Sequence, residues 1–442
     1  MKTWVKRLLV VCCALIGLLL AFVGPIDRTP LADKPYYKQM MARLDTLQIA
    51  NGEEKKTLYA GWKKISITPD HPMPMAGYLI RDEFESVHDS LYARIIVLNS
   101  AGKRTYLISV DLLLFPPSLK QKLYTLLEEK EKTPFLYLSA THTHNGIGCW
   151  HDSVVGNVVL GRYDETWVEE TAKKIITAIE DTESNLKPAS LAYWETDAHE
   201  YAENRLKQGA PHDGWLRGIK VTRTDSSTAH LITFSAHATS ISKKSKTLSG
   251  DYPAAIMDSL FKINNSFALF MAGMVGSHRL AGMDGGEFDL VAKAGHVLSA
   301  KIISAPVLQQ SDSVKVIAAH IPISFGPSQL RITKNWKLRD WVFSWLLNPL
   351  QGELTYLQLN DIVLIGTPCD FSGEIFASHI SAVAAQQNKK VIITSFNGGY
   401  VGYITEDEHY ETLAKEEVMT LNWVGPYDGT YFAEMISALL KK

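Results

Sequence analysis

YLSATHTHNG, residues Tyr137–Gly146, runs from an apolar β-type stretch into two histidines one residue apart. The chain has 14 histidines in 442 residues, so two at one strand end single that end out. Strand side chains alternate with period two, which places His142 and His144 on one face and Thr141 and Thr143 on the other. Two imidazoles on one face are costly to bury without a partner. The segment therefore reads as a strand of an α/β sheet whose end carries chemistry, since in such sheets ligands gather where strands end and loops begin.

Working outward, β-branched and aromatic runs predict strands over 104–114, 134–140, 219–222, 231–235, 266–271, 314–323, 355–365 and 390–395. Helical periodicity follows several of them, over 118–130, 165–180, 252–262, 287–302, 373–387 and 431–440. With no Pro/Ser-rich linker, low-complexity tract or repeat, the expectation is an α/β fold, a mixed β-sheet core flanked by helices, as one large domain over 57–442. Residues 27–56 form a polar segment. Within it "PYYKQMMARLDTLQIA" predicts a short amphipathic helix that either lies near a membrane surface or caps the domain.

The composition, 46% apolar and 21% charged, is globular. A formal charge of -2 provides no basic field for a phosphate backbone, and no Lys/Arg cluster is interleaved with aromatics, so nucleic-acid binding is excluded. Leu8–Gly24 carries no charge and follows Lys2, Lys6 and Arg7. The run is long enough to reach across a bilayer, near the short limit. "AFVGPID" has no clean small-x-small cleavage site, so residues 1–26 read as a retained signal anchor rather than a cleaved signal. The basic flank then places the domain outside the cytoplasm, periplasmic or extracellular. Of four cysteines, Cys12 and Cys13 fall in this run, leaving Cys149 and Cys369, enough for one disulfide but not for a disulfide scaffold.

Other strand ends carry "SAHATS" at 235–240, "TPCDFSGE" at 367–374 and "FNGGYVGYIT" at 396–405. Zinc takes imidazole nitrogen and carboxylate oxygen, commonly through three protein ligands with a position left for water. Each residue also has an ordinary role open to it. His237 alone suits a hydrogen-bonded structural histidine, Asp370 a helix N-cap, and Tyr403 a core aromatic.

The order and local sequence of these segments resemble the neutral/alkaline non-lysosomal ceramidase family from about residue 60 to 426. The resemblance runs through "ISITPDHPMPMAGY" (65–78), "HDSLYARIIVL" (88–98), "LISVDLL" (107–113), "SATHTHNG" (139–146), "ENRL" (203–206), "FSAHATSI" (234–241), "LIGTPCDF" (364–371) and "NGGYVGYITEDEHYE" (397–411). It implies a zinc amidase acting on a lipid-like N-acyl substrate, with His142, His237, Asp370 and Tyr403 on Zn2+. It also implies that His144 and Arg205 contact substrate or the developing oxyanion. The chemistry is then hydrolysis of a linear amide, with the metal lowering the pKa of its water to about 7.

Four departures from the family pattern stand out. Asp370 replaces a glutamate. "VGSHRLAG" (275–282) stands where the family carries a Gly-Asp-x-Ser-Pro-Asn segment with a catalytic serine, and Ser277 and His278 are only neighbours of that place. "KEEVMTLNWVGP" offers no counterpart to a substrate-contacting tyrosine. The chain ends at Lys442, before the family's C-terminal immunoglobulin-like domain. The alternatives are a catalytically altered binding protein of this fold, or a metal-dependent hydrolase of an ester or cell-wall amide. A disulfide between Cys149 and Cys369 would brace the loops of His142 and Asp370, with cysteine ligation of the metal as a variant.

Overall fold

Alternation within the long strands sets the architecture. In strand Tyr92–Ser100, Ile95 and Val97 join one apolar core while Ile96 and Leu98 join another. In strand Ile362–Gly366, Leu364 and Ile365 divide in the same way. Strands buried on both faces read as near-continuous apolar runs. Each fully buried Leu or Ile side chain contributes about 1.5–3 kcal/mol. The computed structural model describes residues 3–49, 55–130 and 133–442.

The large sheet follows the order Phe267–Ala272, Thr228–Phe234, Trp215–Arg223, Lys187–Asp197, Lys56–Ser66, Tyr92–Ser100, Lys103–Val110, Phe135–Ala140. Val307–Ser311 and Ser313–Val314 pair off this path. Neighbours along the path are antiparallel except at its two ends. There Lys103–Val110 runs parallel to Phe135–Ala140, and Thr228–Phe234 parallel to Phe267–Ala272. A second sheet, in the order Val316–Pro322, Glu353–Leu359, Ile362–Gly366, Lys390–Thr394, packs on the inner face of the first. Tyr137 Oη and Thr394 Oγ1 hydrogen bond between the two sheets at 2.8 Å.

Helices Pro117–Glu129, Glu165–Glu183, Asp251–Asn264 and Glu287–Ser304 cover the outer face of the large sheet. Helices Pro35–Thr46 and Asp428–Leu440 and the helical run from Gly373 to Gln386 cover the outer face of the small one. The result is a helix–sheet–sheet–helix sandwich, a mixed α/β fold as expected.

Several expectations change in detail. The run 355–365 is two antiparallel strands, because Asn360 takes a left-handed turn (φ 56°) between Leu359 and Ile362. Long strands over Lys56–Ser66 and Lys187–Asp197 went unpredicted, since polar residues interrupt their apolar positions, and so did Tyr92–Ser100. Of the two places open to it, helix Pro35–Thr46 takes the one that caps the domain. Met40 and Leu44 are buried in the small-sheet core, and Tyr36 stands edge-on to Tyr431 at 5.4 Å.

At the N-terminus, helix Thr3–Phe22 leads into strand Val23–Pro25, which pairs with Trp336–Leu338. Among the described residues no helix is long and apolar enough to cross a membrane, so the expected spanning anchor is not seen. Charge at Lys6 and Arg7 confines the uncharged part of this helix to Leu8–Phe22. That is about 22 Å of helix against a hydrocarbon layer of about 30 Å.

Candidate metal centre

Strand Phe135–Ala140 ends before its histidines, and Thr141 N donates to Val110 O across the parallel pair. His142 then adopts φ 63°, a left-handed conformation that His reaches more readily than most residues. Strand alternation therefore does not place His142 and His144, as the spacing had suggested. The turn does, and it brings their Nε2 atoms to 3.3 Å with the rings edge-on. His142 Nδ1 donates to Leu113 O at 2.6 Å, which fixes the tautomer and leaves Nε2 with its lone pair. Phe396 stacks on the ring at 4.3 Å.

His237 follows strand Thr228–Phe234 and is held in the same way. Its Nδ1 donates to Val275 O at 2.8 Å, and its Nε2 stands 3.1 Å from Tyr403 Oη. Asp370 and Tyr403 are direct partners in a short parallel ladder, Asp370–Phe371 with Tyr403–Ile404, so two residues far apart in sequence arrive side by side. The N-cap role open to Asp370 is not taken: the residue lies in a strand, and Ser372 holds the N-cap position of the next helix. Asp370 Oδ1 lies 3.4 Å from His142 Nε2 and 3.5 Å from His237 Nε2. Its Oδ2 accepts the Tyr400 hydroxyl at 2.8 Å.

These donors fit a metal. Asp370 Oδ1 is buried without a hydrogen-bond partner, and both flanking histidines aim lone pairs at it. Ligand atoms about 2.0–2.1 Å from a tetrahedral ion lie roughly 3.3 Å from one another, close to the separations seen here. The side-chain nitrogens of His142, His144 and His237 form a buried group within 4.8 Å of one another. Burial pushes His142 down to about 3 and holds His144 and His237 well below the ordinary imidazole value, so all three are neutral ligands or donors at pH 7. Burial pushes the Asp370 carboxyl up to about 7, opposed by the Tyr400 hydroxyl and the Arg205 charge. A carboxylate this costly to ionise calls for a cation beside it.

Arg205 joins from the far side. Its Nη2 donates to Tyr403 Oη at 3.2 Å and lies 3.3 Å from His237 Nε2, while Nη1 pairs with Glu417 at 2.7 Å. Every residue expected at the site therefore stands in one cluster. The segment 275–282 contributes backbone only: the carbonyls of Val275 and His278 receive His237, and Gly276 O receives Arg205. His278 is turned away, its Nε2 accepting from Asp213 N.

Sequence reasoning missed Tyr400, Phe396, Glu417 and the Gly77–Arg81 loop. Tyr400 lay in view within "NGGYVGY", but only the ladder shows that it reaches Asp370. Glu417 sits in the stretch searched for a tyrosine, and holds Arg205 instead. Gly77 (φ 111°) packs so close to His144 that a Cβ would stand 2.4 Å from its Cα, and Tyr78 lies 5.0 Å from the His144 ring. Arg81 donates to His144 O at 2.5 Å and also to Ser245 O. The proposed disulfide is absent. Cys149 and Cys369 are free and buried in different cores, Cys149 beneath the large-sheet helices and Cys369 beneath the small-sheet helices. Neither enters the metal cluster.

A family model described as neutral/alkaline non-lysosomal ceramidase, N-terminal, matches residues 61–266. Over those residues, just under half of the chain, the sequence is similar to the neutral/alkaline non-lysosomal ceramidase family. The fold is similar to that of neutral ceramidase from Pseudomonas aeruginosa, with TM-score 0.74 and 17% identity over 87% of this chain and 75% of the other. It is also similar to a ceramidase complexed with C2, with TM-score 0.71 and 17% identity over 87% and 76% of the two chains. The ceramidase match contains His142, His144, Arg205 and His237. Asp370 and Tyr403 lie beyond it and reach the cluster through the fold.

Proposed function

We propose that this chain is a zinc-dependent hydrolase of the ceramidase family that cleaves the amide bond of a lipid or lipid-like N-acyl substrate. One observation carries the reading. The Nε2 atoms of His142 and His237 converge on a buried Asp370 oxygen that has no other partner, with Tyr403 Oη alongside. His142, His237, Asp370 and Tyr403 would hold the ion. When bound, zinc supplies a water of lowered pKa and polarises the scissile carbonyl.

The surrounding residues have distinct tasks. Neutral His144 offers Nε2 beside the cluster to move a proton toward the leaving amine. The Arg205 guanidinium, braced by Glu417, faces the same point and balances negative charge as it develops on oxygen. Asp370, pushed up to about 7, stays ionised most readily next to a cation, and Tyr400 orients it. The basic flank ahead of Leu8 supports an extracytoplasmic domain held at a membrane.

A second reading rests on the segment 275–282, which lends only carbonyls to the site where the family pattern expects a catalytic serine. On that reading the chain is a binding protein, or its scissile bond is an ester. The test is zinc content of the purified chain, measured with hydrolysis of N-acyl sphingosines, N-acyl amino acids and esters. One zinc per chain and turnover of the N-acyl sphingosine are expected. A metal-free, inactive protein makes it a binder, and turnover of esters alone moves the bond.

A further inference from the structure

Near the metal centre lies an apolar face that stays largely exposed among the described residues. Helix Asp340–Leu347 buries Val342 and Phe343, while Trp341 and Trp345, one turn apart on a shared side, are 51% and 63% exposed. Trp336, on the strand just before this helix, is exposed as well. Helix Val154–Val159 packs against the same helix and exposes Val154 and Val158, also one turn apart. Soluble surfaces carry scattered apolar residues, but a contiguous patch of this kind marks an interaction site.

This face adjoins the site through a run of rings. Phe343 stands edge-on to Trp423 at 5.5 Å, Trp423 to Tyr400 at 5.2 Å, and Tyr400 holds Asp370. The same face also roots helix Thr3–Phe22. Arg339 Nε donates to Leu20 O at 2.7 Å and Trp341 Nε1 to Ala21 O at 3.0 Å, and the Phe22 ring lies 5.1 Å from Trp341. Those carbonyls are among the ones a helix C-terminus leaves unpaired, so the domain fixes the helix end in place.

The character of that helix identifies the occupant. A helix that docks in a protein groove has one apolar stripe, whereas one that is apolar all round belongs in a core or in lipid. Leu8, Leu9, Val10 and Val11 are four consecutive positions, and all are exposed. Four consecutive positions sweep the full circumference of a helix. Lys6 and Arg7 precede them as charges suited to lipid headgroups. Tryptophan is the side chain that collects at the boundary between headgroups and hydrocarbon.

We propose that this face seats on a lipid bilayer, with Trp336, Trp341 and Trp345 at the interface and helix Thr3–Phe22 entering the apolar layer. The rings of Phe343, Trp423 and Tyr400 then lie between the membrane surface and the metal centre. The docking is independent of the reaction proposed above, and it needs neither zinc nor ceramide.

The test is flotation of the full chain with vesicles of phosphatidylcholine and phosphatidylglycerol that contain no ceramide. The full chain floats with the vesicles, and Trp341→Ser/Trp345→Ser binds about tenfold or more weakly while keeping its melting temperature and metal content. In vesicles of dibrominated lipid, Trp341→Phe/Trp345→Phe loses a share of the tryptophan quenching seen for the parent chain. Equal flotation of parent and serine variant, with quenching unchanged by the phenylalanine variant, overturns the proposal. A full chain that sediments as a dimer without lipid, and that the serine variant renders monomeric, assigns the face to a second copy and overturns it too.

Discussion

The two ends of the large sheet use one device. At one end, His142 leaves strand Phe135–Ala140 and its Nδ1 is received by Leu113, three residues beyond the parallel neighbour Lys103–Val110. At the other, His237 leaves strand Thr228–Phe234 and its Nδ1 is received by Val275, three residues beyond the parallel neighbour Phe267–Ala272. Everywhere else along the main path neighbours are antiparallel. Only a parallel pair sends both strands out of the same edge, so that the loop after one strand meets the loop after the other. Placement of each histidine thus follows from strand direction.

The companions of the two histidines differ. Beyond the Asp370 oxygen that both share, His142 stands against Phe396 and against His144, which lies under the Gly77 loop. His237 stands against Tyr403 and Arg205, with a cation backed by Glu417. In the reaction proposed, the first side suits proton transfer and the second suits charge balance.

The strongest test of the shared device is to remove either histidine. His142→Ala and His237→Ala should each reduce bound zinc from stoichiometric to near zero, measured by atomic emission, with activity at background. If one variant keeps its metal, the two ends are not equivalent. Next comes the difference between companions. His144→Ala should retain zinc and lose about 10²–10⁴-fold in kcat, as expected for loss of a general acid–base. Zinc lost together with activity would make His144 a ligand, and the asymmetry between the two ends would vanish. Smaller still is Tyr400→Phe, which removes the hydroxyl that orients Asp370. It should weaken zinc about 10–100-fold in a chelator competition while leaving the fold intact.

Acidity separates the groups by sign. His142 titrates at about 3 in the fold, so its contribution to stability is full above 6.5 and declines as pH falls toward 3. Asp370 is raised from 3.8 to about 7, so its contribution is full below 3.8 and declines as pH rises toward 7. Between these values the two oppose each other. His144 and His237, also held below the ordinary value, decide the balance in favour of the histidines. The metal-free protein should therefore melt at lower temperature as pH drops from 6.5 toward 4. In His144→Ala that slope should be shallower.

Much of this was legible beforehand, and for physical reasons. Strand Phe135–Ala140 is buried on both faces, so its apolar run was plain, and a pair of histidines at its end was too polar to ignore. Strand Lys56–Ser66 was not legible, because Lys63, Lys64 and Gly61 break its pattern at positions that only the finished sheet explains. His142 and His237 were found from their strand ends. Tyr400, Glu417 and Phe396 were not, since nothing in a local window distinguishes a tyrosine that reaches a carboxylate from one that fills a core. The expected disulfide failed because both cysteines lie in site-forming loops yet face separate cores, a distinction of direction that sequence spacing does not carry.

By itself the sequence determined the inventory: a mixed α/β chain, histidines at strand ends, and an N-terminal apolar run of limited length. Those follow from local rules, periodicity and burial cost, which act within a few residues. Tertiary structure alone decided that Asp370 and Tyr403 would share a ladder, that Leu113 and Val275 would set the tautomers of two histidines, and that one oxygen among them would be left without a partner. Each of these joins groups separated by tens to hundreds of residues. Such contacts depend on which strands run parallel and where their ends emerge, and a chain settles that only once both sheets have packed.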